Sequence, residues 1–539
     1  MTNNIVITNV TETVAPSPST LQKTGALISQ GGTNLANSTK ALLTQLSDLT
    51  PLLAAAITLV SLTSSGTTAT ATLPATTISA GAYDSVTGKV TLTLTADIGL
   101  LPGMLVAVSG ATGTGSFASI DGTFTAGPDT GAGVLEYTIA TSLTMTIATA
   151  GVQMNVQPSS GTFLTTISGA TPAGYNGTFL ATVASADTFT FPVASGLTSP
   201  ATGTIKFSEA GSSELVAMAT TFFAQGSQQA VYVLELGRGT PADGVTALGT
   251  FIGASPQFFY GYLVPRGWAD ESSFYTTFVA QFESLTAKTY FWVTCTTSNY
   301  THFTDLMKCV LTHVEAPGIP LTEFDAAADF WVALNYSPSS TNKVTPFAFS
   351  FLFGVTQFPI VGNNTLLATL KAAFVNWVGT GAEGGISNTT LFWGTTQDGN
   401  DFTFWYSVDW VQINGDLRIA NAVINGSNNP QNPLYYNQDG INRLQAVVAG
   451  LMTDGISFGL VLGDLVQTAL DPVIFQQNLD SGKYAGKTVI NAVPFILYNQ
   501  QNPGDYKIGK YAGLTVAYVP ARGFTQIVFN INVSNFVAQ

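Results

Sequence analysis

The sequence predicts a multidomain fold that mixes α/β and β architecture. An α/β core is built from N- and C-terminal parts, an Ig-like β-sandwich region is inserted between them, and each end carries a strand-forming arm. Three observations lead to this prediction. The chain has 539 residues, more than one ordinary hydrophobic core holds. A segment rich in Thr, Ala, Gly and Ser begins at about residue 65. After residue 207, helical and strand patterns alternate, as they do in α/β layers.

We predict an arm with a strand over residues 1–20 and the first part of the core over residues 21–64. In the arm, Ile5, Ile7 and Val10 belong to a short alternating run that is typical of a strand, and prolines at positions 16 and 18 end it. In the core part, helical spacing up to a proline at position 51 predicts a helix that contains Leu42, Leu43, Leu46 and Leu49.

Residues 65–206 predict the inserted β-sandwich region. The alternating runs Val90–Thr95 and Thr188–Phe191 are typical of strands. Two passages echo one another: a Ser-Gly-Ala-Thr tetrad at 109–112 leads to Asp-Gly-Thr-Phe at 121–124, and the same tetrad at 168–171 leads to Asn-Gly-Thr-Phe at 176–179. The Asn-Gly pair predicts a turn followed by a strand. The sequence leaves open whether the region forms one Ig-like module or two.

Residues 207–388 predict an α/β domain with a substantially parallel sheet. The predicted helices include Glu214–Gln225, Phe274–Thr286 and Thr304–Val314. The predicted strands are Val231–Leu236, Phe258–Val264, Tyr290–Thr294 and Phe330–Leu334.

We predict a C-terminal domain over residues 389–520 and a second arm over residues 521–539. Residues 389–427 look like strands around a core of Phe392, Trp393, Phe404, Trp405 and Trp410. Further on, Asp439 is the predicted N-cap of an apolar helix, Ile441–Thr453. The arm alternates cleanly between polar residues and Ile527, Phe529, Ile531 and Val533, so a strand is predicted over residues 526–533.

The composition points away from catalysis, nucleic acid and membranes. Charged residues make up 9% of the chain, and the net charge of −14 disfavours binding to phosphate backbones or anionic lipid. Two His and two Cys leave little material for acid–base, metal or disulfide chemistry. The first ten residues lack the features of a signal peptide, and the apolar run Leu52–Val60 is shorter than a membrane span. We therefore expect a soluble, non-enzymatic protein without a cofactor, folded in the cytoplasm.

Three short motifs match known signatures but lack the partners that those signatures need. The G-x-G-x-x-A run Gly113–Ala118 lies among strand patterns rather than before a helix, which favours a loop. The G-x-S-x-G run Gly455–Gly459 has no His after it and favours a helix-to-strand turn. The run Tyr435–Gly440 has no carboxylate at the first or twelfth position of a calcium loop, which favours helix capping.

One group of residues has the chemistry of a zinc site. His302, Cys309 and His313 would share one face of the predicted helix, and Cys295 lies on the strand before it. Apolar neighbours favour a mixed core or interface face, with zinc as the alternative.

Charge is distributed unevenly along the chain. Residues 481–539 carry Lys483, Lys487, Lys507, Lys510 and Arg522 against Asp505 alone, so this segment is +4 and the remainder is −18. Chance sampling explains such a bias as readily as function does. The functional alternative is a face complementary to an acidic protein partner, or to the acidic part of an identical subunit.

Several segments resemble one family. The chain is similar to the tail sheath proteins of contractile-tailed bacteriophages (myoviruses), over roughly residues 1–64 and 207–539. The most specific segment opens the late helix with Asn-Gln-Asp-Gly-Ile. The segments that carry the resemblance are Leu21–Thr33, Leu263–Trp268, Phe392–Gly394, Val408–Trp410 and Asn437–Ile441.

The resemblance implies a structural polymer of the virion tail, assembled in the host cytoplasm. Sheath subunits form six-fold rings stacked helically around a tail tube, and contraction drives the tube through the host envelope. The implied partners are other copies of the chain, the tube protein, and the baseplate and tail terminator proteins. The inserted region would face outward, and the terminal arms would add strands to a neighbouring subunit's sheet, which is a known mode of association. Within the basic segment, Lys507, Lys510 and Arg522 are then the candidate tube-facing residues.

Other classes fit less well. An inner tube protein is usually much shorter, an adhesin normally carries a secretion signal, and an enzyme needs clustered catalytic side chains. The alternative kept is another structural protein of the virion, an Ig-decorated tail, capsid or adhesin subunit. Glycan binding by the insertion is a further possibility that its Thr- and Ser-rich strands leave open.

Overall fold

The computed structural model describes residues 21–524, except 55, 101–103, 116, 128, 132, 149–151, 158–161, 186, 209, 227–228, 238, 305–306, 320–321, 359–362 and 381–387. These residues belong to two compact units. The first, here called the α/β unit, comprises Lys23–Asn335 and Phe347–Asn400. The second, the C-terminal unit, includes Tyr336–Pro346 and the chain from Asp401 onward. Within the described part of the chain, no helix combines the length and the apolar character that a bilayer span needs.

The α/β unit begins with two strands, β1 (Gly25–Ser29) and β2 (Thr39–Leu43). Every residue of β1 is buried. The predicted helix through Leu49 is wrong, because β2 is followed by two short 3-10 turns, Leu46–Asp48 and Thr50–Leu52. The carboxylate of Asp48 accepts hydrogen bonds from the backbone and hydroxyl of Thr44, at 2.9 and 2.7 Å. This local bonding lowers the pKa of Asp48 to about 2 and holds a tight turn in place of a longer helix.

The inserted region follows and is built of strands, as predicted. The two alternating runs found in the sequence correspond to the strands Lys89–Leu94 and Thr188–Pro192. In chain order they are β3 (Ile57–Thr58), β4 (Ser61–Ser65), β5 (Thr68–Thr72), β6 (Ala75–Asp84), β7 (Lys89–Leu94), β8 (Leu105–Ser109), β9 (Thr112–Gly115), β10 (Gly122–Thr125), β11 (Val134–Thr138), β12 (Met145–Ala148), β13 (Gln153–Gln157), β14 (Thr162–Ser168), β15 (Gly177–Val183), β16 (Thr188–Pro192) and β17 (Lys206–Ser208).

Two large sheets lie in this region, and the strands of one are inserted in the sequence between the strands of the other. Strands β3–β5 and β14–β17 form a seven-stranded sheet in the order β3-β17-β14-β15-β16-β5-β4. The chain between them forms a six-stranded sheet, β10-β8-β13-β6-β7-β11, and a pair, β12-β9. The buried apolar residues of both sheets belong to one hydrophobic cluster. An Ig-like topology for this region remains a prediction.

The echo in the sequence corresponds to a repeated local structure. The side-chain Oδ1 of Asp121 accepts a hydrogen bond from the backbone N–H of Ala111 at 2.9 Å. Asn176 does the same for Ala170, also at 2.9 Å. The glycine that follows each has a positive φ, 147° and 143°, which L side chains rarely adopt. The predicted turn and strand start are confirmed, since β15 begins at Gly177.

The rest of the α/β unit alternates helices and strands, as predicted. The elements are α1 (Ala210–Ala224), β18 (Val231–Glu235), α2 (Pro241–Ala254), β19 (Gly261–Leu263), β20 (Tyr290–Cys295), β21 (Val310–Val314), α3 (Ala326–Leu334), α4 (Asn364–Ala372), β22 (Trp377–Gly379) and β23 (Thr390–Phe392). The central sheet has the order β2-β18-β1-β19-β20-β21, and every pairing except β2 with β18 is parallel.

Three predicted elements of this unit differ in the structure. Residues 310–314 form the strand β21 instead of a helix; all five are buried, and a strand covered on both faces shows no alternation. Residues 330–334 lie in the helix α3, which is also largely buried, so its apolar run was mistaken for a strand. The predicted helix 274–286 is reduced to a π turn, Phe274–Phe278, and a 3-10 turn, Val279–Phe282.

The C-terminal unit combines two long helices with a small sheet. The elements are α5 (Phe402–Ser427), α6 (Gln438–Ser457), β24 (Val461–Leu462), β25 (Asp464–Thr468), α7 (Pro472–Asp480), β26 (Lys487–Ala492), α8 (Phe495–Gln501), α9 (Pro503–Lys507), β27 (Leu514–Ala517) and β28 (Val519–Pro520). Strand β25 pairs in parallel with β26, β26 pairs antiparallel with β27, and β24 pairs with β28.

The strands predicted over 389–427 are largely wrong, since 402–427 is the helix α5. Phe402, Tyr406 and Trp410 are all buried and recur every four residues, which places them on one helix face, and the buried Trp405 lies beside them. Asp401 caps this helix by accepting a hydrogen bond from the N–H of Thr403 at 2.8 Å. The aromatic content, which favours strands on average, outweighed the periodicity in the prediction.

Gly463, between β24 and β25, gives a test of how this small sheet is held. Its φ is +89°, and a methyl group there would lie 2.1 Å from the carbonyl oxygen of Gly486. We expect Gly463→Ala to lower the free energy of unfolding of the C-terminal unit by about 2 kcal/mol or more. The matched control is Gly504→Ala in α9, where no atom lies within 4 Å of the added carbon. Urea denaturation measures both; equal stability of the two variants would contradict this account.

Candidate interaction surfaces

Segments that carry the family resemblance lie side by side in the α/β unit. The carboxylate of Glu235, at the end of β18, is 1% exposed and accepts bonds from the loop that follows β1. It bonds to the hydroxyls of Ser29 and Thr33, both at 2.7 Å, and to the N–H of Gly31 at 2.7 Å. It also accepts from the N–H of Gly237, at 2.8 Å. The Ser-Gln-Gly-Gly-Thr run is therefore a loop wrapped around one buried carboxylate.

A second link joins two of these segments. Gln30, in the same loop, accepts a hydrogen bond from the indole N–H of Trp268 at 2.7 Å and donates to the carbonyl of Thr240 at 3.0 Å. Trp268 is itself fully buried. The resemblance thus rests in this unit on residues that hold loops together.

In the C-terminal unit, the Asn-Gln-Asp-Gly-Ile segment opens α6. The predicted helix is confirmed, but its N-cap is Asn437 rather than Asp439: the Asn437 side chain accepts from the N–H of Gly440 at 2.9 Å. A side chain at Gly440 would meet the carbonyl oxygen of Tyr435, so this position requires glycine. Gln438 accepts from the N–H of Phe495 at 2.8 Å, which ties α6 to α8.

The three-stranded sheet β25-β26-β27 has two outer strands. Among the described residues, β25 and β27 each pair with one strand, β26. The central strand is buried over Thr488–Ala492, while the outer strands are only partly covered. Outer strands with unpaired N–H and C=O groups are templates for a further strand.

A buried asparagine fixes the end of β25. Asn491, 1% exposed, accepts hydrogen bonds from the hydroxyl of Thr468 at 2.9 Å and from the N–H of Leu470 at 2.8 Å. Its amide group donates to the carbonyl of Leu470 at 3.0 Å. On the other side, Gln445 of α6 donates to the carbonyl of Thr468 at 3.0 Å. These hydrogen bonds therefore fix the position of the C-terminal end of β25 in the sheet.

The predicted strand arms lie outside the described residues. This applies to Ile5, Ile7 and Val10 in the N-terminal arm. It applies equally to Ile527, Phe529, Ile531 and Val533 in the C-terminal arm.

The candidate tube-facing residues are all exposed in the C-terminal unit, but the structure gives them different surroundings. Lys507 ends α9. Lys510 follows it, and its Nζ lies 3.7 Å from Oδ1 of Asp505. Arg522 comes after β28 and lies near Asp401, where its charge opposes the rise in the pKa of that largely buried carboxyl. The lysines and Arg522 are therefore separate features along the chain.

Exposed apolar side chains accompany these lysines and were not predicted. Ile496 is 70% exposed, Ile508 is 72% exposed and Tyr506 is 55% exposed. Tyr506 and Ile508 alternate with the lysines at and after the end of α9, and Ile496 lies on α8 next to Phe495, whose ring contacts that of Tyr506. We call Ile496, Tyr506, Lys507, Ile508 and Lys510 the α8–α9 surface. Apolar centres with cationic neighbours are typical of protein interfaces. The alternation of apolar and basic residues at 506–510 was a usable signal in the sequence.

The proposed zinc residues do not converge. His302 contacts the carbonyl oxygen of Ala269 through Nδ1 at 2.8 Å and stacks on Tyr275. Both cysteines are buried, and burial raises the pKa of the Cys295 and Cys309 thiols. Across the described ranges, no group of three His, Cys, Asp or Glu side chains is arranged to hold a metal ion.

The two glycine motifs differ in outcome. The loop favoured for the G-x-G-x-x-A run is wrong, because residues 112–115 form the strand β9, paired with β12, and a 3-10 turn, Phe117–Ile120, follows in place of an α-helix. The G-x-S-x-G run covers the end of α6, and β24 begins two residues after it. Neither geometry matches its signature.

Comparisons with known proteins give structural likeness only. No family model and no curated protein sequence matches the chain. The chain is similar to the baseplate structure of the anti-feeding prophage, with a TM-score of 0.39 and 14% identity over 59% of this chain and 80% of the other. The values for that particle's helical sheath in the contracted state are 0.39 and 14%, over 59% and 81%. For a sheath tail protein of Listeria innocua they are 0.36 and 9%, over 81% and 85%.

Proposed function

We propose that the protein is a contractile tail sheath subunit that polymerises into stacked six-fold rings around a tail tube. The observation that carries the proposal is the sheet β25-β26-β27, with two outer strands that each have one strand partner among the described residues. The chain also has an alternating strand-like sequence at each end. An arm from one copy, added to this sheet in the next copy, is a head-to-tail contact, and such contacts generate helical polymers.

The proposed mechanism needs no catalytic step and no cofactor. Subunits move as rigid bodies during contraction while the strand links stay paired, and the metastable extended sheath stores the energy. The tail tube, baseplate and tail terminator proteins are the expected partners, and the virion tail is the expected location after assembly in the host cytoplasm. The insertion, rich in paired strands, is proposed to face outward.

Electron microscopy of the concentrated full-length protein tests this function. Striated tubes or stacked rings with a hollow lumen are expected in negative stain. Monodisperse single particles at every salt and protein concentration would contradict the proposal. The kept alternative, another virion structural protein with a decorated surface, predicts that second outcome.

The α8–α9 surface gives a separate prediction about the tube. Lys507→Glu with Lys510→Glu is expected to lower binding to purified tubes by about tenfold or more, because a complementary charge becomes a repulsive one. The matched control is Lys483→Glu with Lys487→Glu, which makes the same charge change elsewhere in the basic segment. Co-sedimentation with tubes measures both. Equal binding by the two double variants would remove this surface from the tube contact.

A further inference from the structure

A cluster of ionisable side chains lies buried in the α/β unit, apart from the surfaces described above. His313 of β21 and Asp325 and Asp329, at the start of α3, are each 0% exposed. Nδ1 of His313 lies 3.5 Å from Oδ2 of Asp329. Nε2 lies 3.9 Å from Oδ2 of Asp325. The imidazole is thus held between two carboxyl groups of one helix.

These three groups are unusual because their polar atoms are not satisfied by hydrogen bonds. Within the described part of the chain, no hydrogen bond of normal geometry reaches either ring nitrogen of His313 or the four carboxyl oxygens of Asp325 and Asp329, and the 3.5 Å contact between His313 and Asp329 is a long, weak one. Buried polar groups are normally paired, since an unpaired one costs about 1–3 kcal/mol. The cluster therefore depends on charge and on bound protons more than on hydrogen bonds.

Acidic side chains outnumber basic ones around this cluster. Arg266 forms two bonds of 2.8 Å to Glu315, and its backbone N–H donates to Glu214 at 2.9 Å. Glu315 also accepts from the N–H of Asp325 at 3.2 Å. The whole charged cluster therefore contains two basic side chains, Arg266 and His313, and five carboxyl groups. The carboxyl groups are those of Glu214, Glu315, Glu323, Asp325 and Asp329. Full ionisation would leave an excess of buried negative charge.

We propose that this cluster is a proton-dependent lock that holds α3 against the central sheet and loosens when Asp325 loses its proton. The helix α3 packs on α1, β19 and β20. A new negative charge on Asp325, at the start of this helix, therefore weakens the packing of α3 against the sheet. The excess negative charge then repels within a site that water does not screen.

The pKa shifts of the cluster all act in the same direction. Burial raises the pKa of Asp325 to about 8, and burial also raises the pKa of Asp329. Burial alone would lower the pKa of His313, but the charges of Asp329 and Asp325 outweigh it and the pKa is raised. A carboxyl with a raised pKa stabilises the fold fully below its ordinary pKa near 4, and this stabilisation is lost as the pH rises to 8. His313 likewise contributes most below its ordinary value and loses its contribution as the pH rises through its raised pKa.

The test compares the full-length protein with Asp325→Asn, which keeps the shape of the neutral carboxyl but cannot ionise. We expect the melting temperature of the wild type to fall by about 5 °C or more between pH 5 and pH 8.5, and that of the variant to change much less. Asp97→Asn in the insertion is the matched control, because Asp97 is exposed and its bond from the N–H of Gly99 can be kept by an amide oxygen. This control should follow the wild type.

Hydrogen–deuterium exchange locates the effect. At pH 8.5, peptides from α3 should exchange faster in the wild type than in Asp325→Asn, and this difference should be much smaller at pH 5. A purely structural role would change exchange equally at both pH values. Equal pH dependence of the wild type and Asp325→Asn would overturn the proposal.

A spectroscopic measurement covers the case in which Asp325→Asn fails to fold. The chain has two histidines, so labelled imidazoles give two signals, which His302→Gln assigns. The signal of His313 should titrate at a higher pH than a free imidazole does. A pKa at or below the ordinary value would also overturn the proposal. Both readouts use the unassembled protein, so they stand whether or not the protein forms a sheath.

Discussion

Removal of residues 526–539 is expected to abolish polymers while leaving the subunit folded. The deleted segment contains Ile527, Phe529, Ile531 and Val533, the alternating residues of the predicted C-terminal strand. A donated strand links two copies through main-chain hydrogen bonds, so its loss should raise the protein concentration needed for assembly by about 100-fold or more. Sedimentation and electron microscopy measure the polymer, and circular dichroism measures the fold.

Two substitutions separate the loss of the strand from the loss of mass. Ile531→Pro removes one N–H donor and disfavours a central strand position, and it should reproduce the deletion. Asn532→Ser alters a polar neighbour and should leave assembly unchanged. Normal tubes from both the deletion and Ile531→Pro would show that this arm does not link subunits.

The largest expected effect on folding is that of Glu235→Gln. Four donors, two hydroxyls and the N–H groups of Gly31 and Gly237, meet its buried carboxylate at 2.7–2.8 Å, and the N–H of Thr33 lies at 3.1 Å. An amide in either orientation points its NH₂ group at one of these N–H groups. We expect a loss of about 3 kcal/mol in the free energy of unfolding, since hydrogen bonds to buried charges are among the strongest.

Glu271→Gln is the control for that substitution. Its Oε1 accepts bonds only from the backbone and hydroxyl of Ser273 among the contacts described, at 3.0 and 2.8 Å, and an amide oxygen can keep both. Urea denaturation followed by fluorescence measures the two variants. Comparable stability of Glu235→Gln and Glu271→Gln would mean that the loop after β1 does not depend on the buried carboxylate.

The sequence predicted elements whose signals are local. The strands β18 and β20 and the helix α1 were found because apolar runs and helical spacing are complete within each segment. The central parallel sheet followed from their alternation. The insertion was found from its composition, and its repeated turn from the Asn-Gly pair at 176–177.

The elements that were missed depend on information that a local pattern does not contain. Strand β21 is buried on both faces, so its residues show no period of two. The helix α5 is rich in aromatic residues, which favour strands in general, although its buried residues follow helical spacing. At the start of α6, both Asn437 and Asp439 suit an N-cap, and only the backbone geometry selects Asn437.

The candidate surfaces show the same division. The exposure of Lys507 and Lys510 agrees with their charge, but the bond of Tyr436 to the carbonyl of Lys510 and the exposure of Ile508 arise from the packing of α8 and α9. The two outer strands of the C-terminal sheet are a property of strand order, which distant segments decide. His313 meets Asp325 and Asp329 only because the fold brings its side chain on β21 to the start of α3.

The measurement that tests strand donation most directly is cross-linking between two differently labelled populations. Both natural cysteines are buried, so engineered thiols report cleanly. One population carries Asn530→Cys in the C-terminal arm, and the other carries Thr515→Cys in β27 or Gln467→Cys in β25. Donation to a neighbour predicts disulfide-linked dimers containing one chain of each kind once the mixture is assembled and oxidised. Assembled polymers that yield no such mixed dimer with either edge, across neighbouring arm positions, would contradict the central claim.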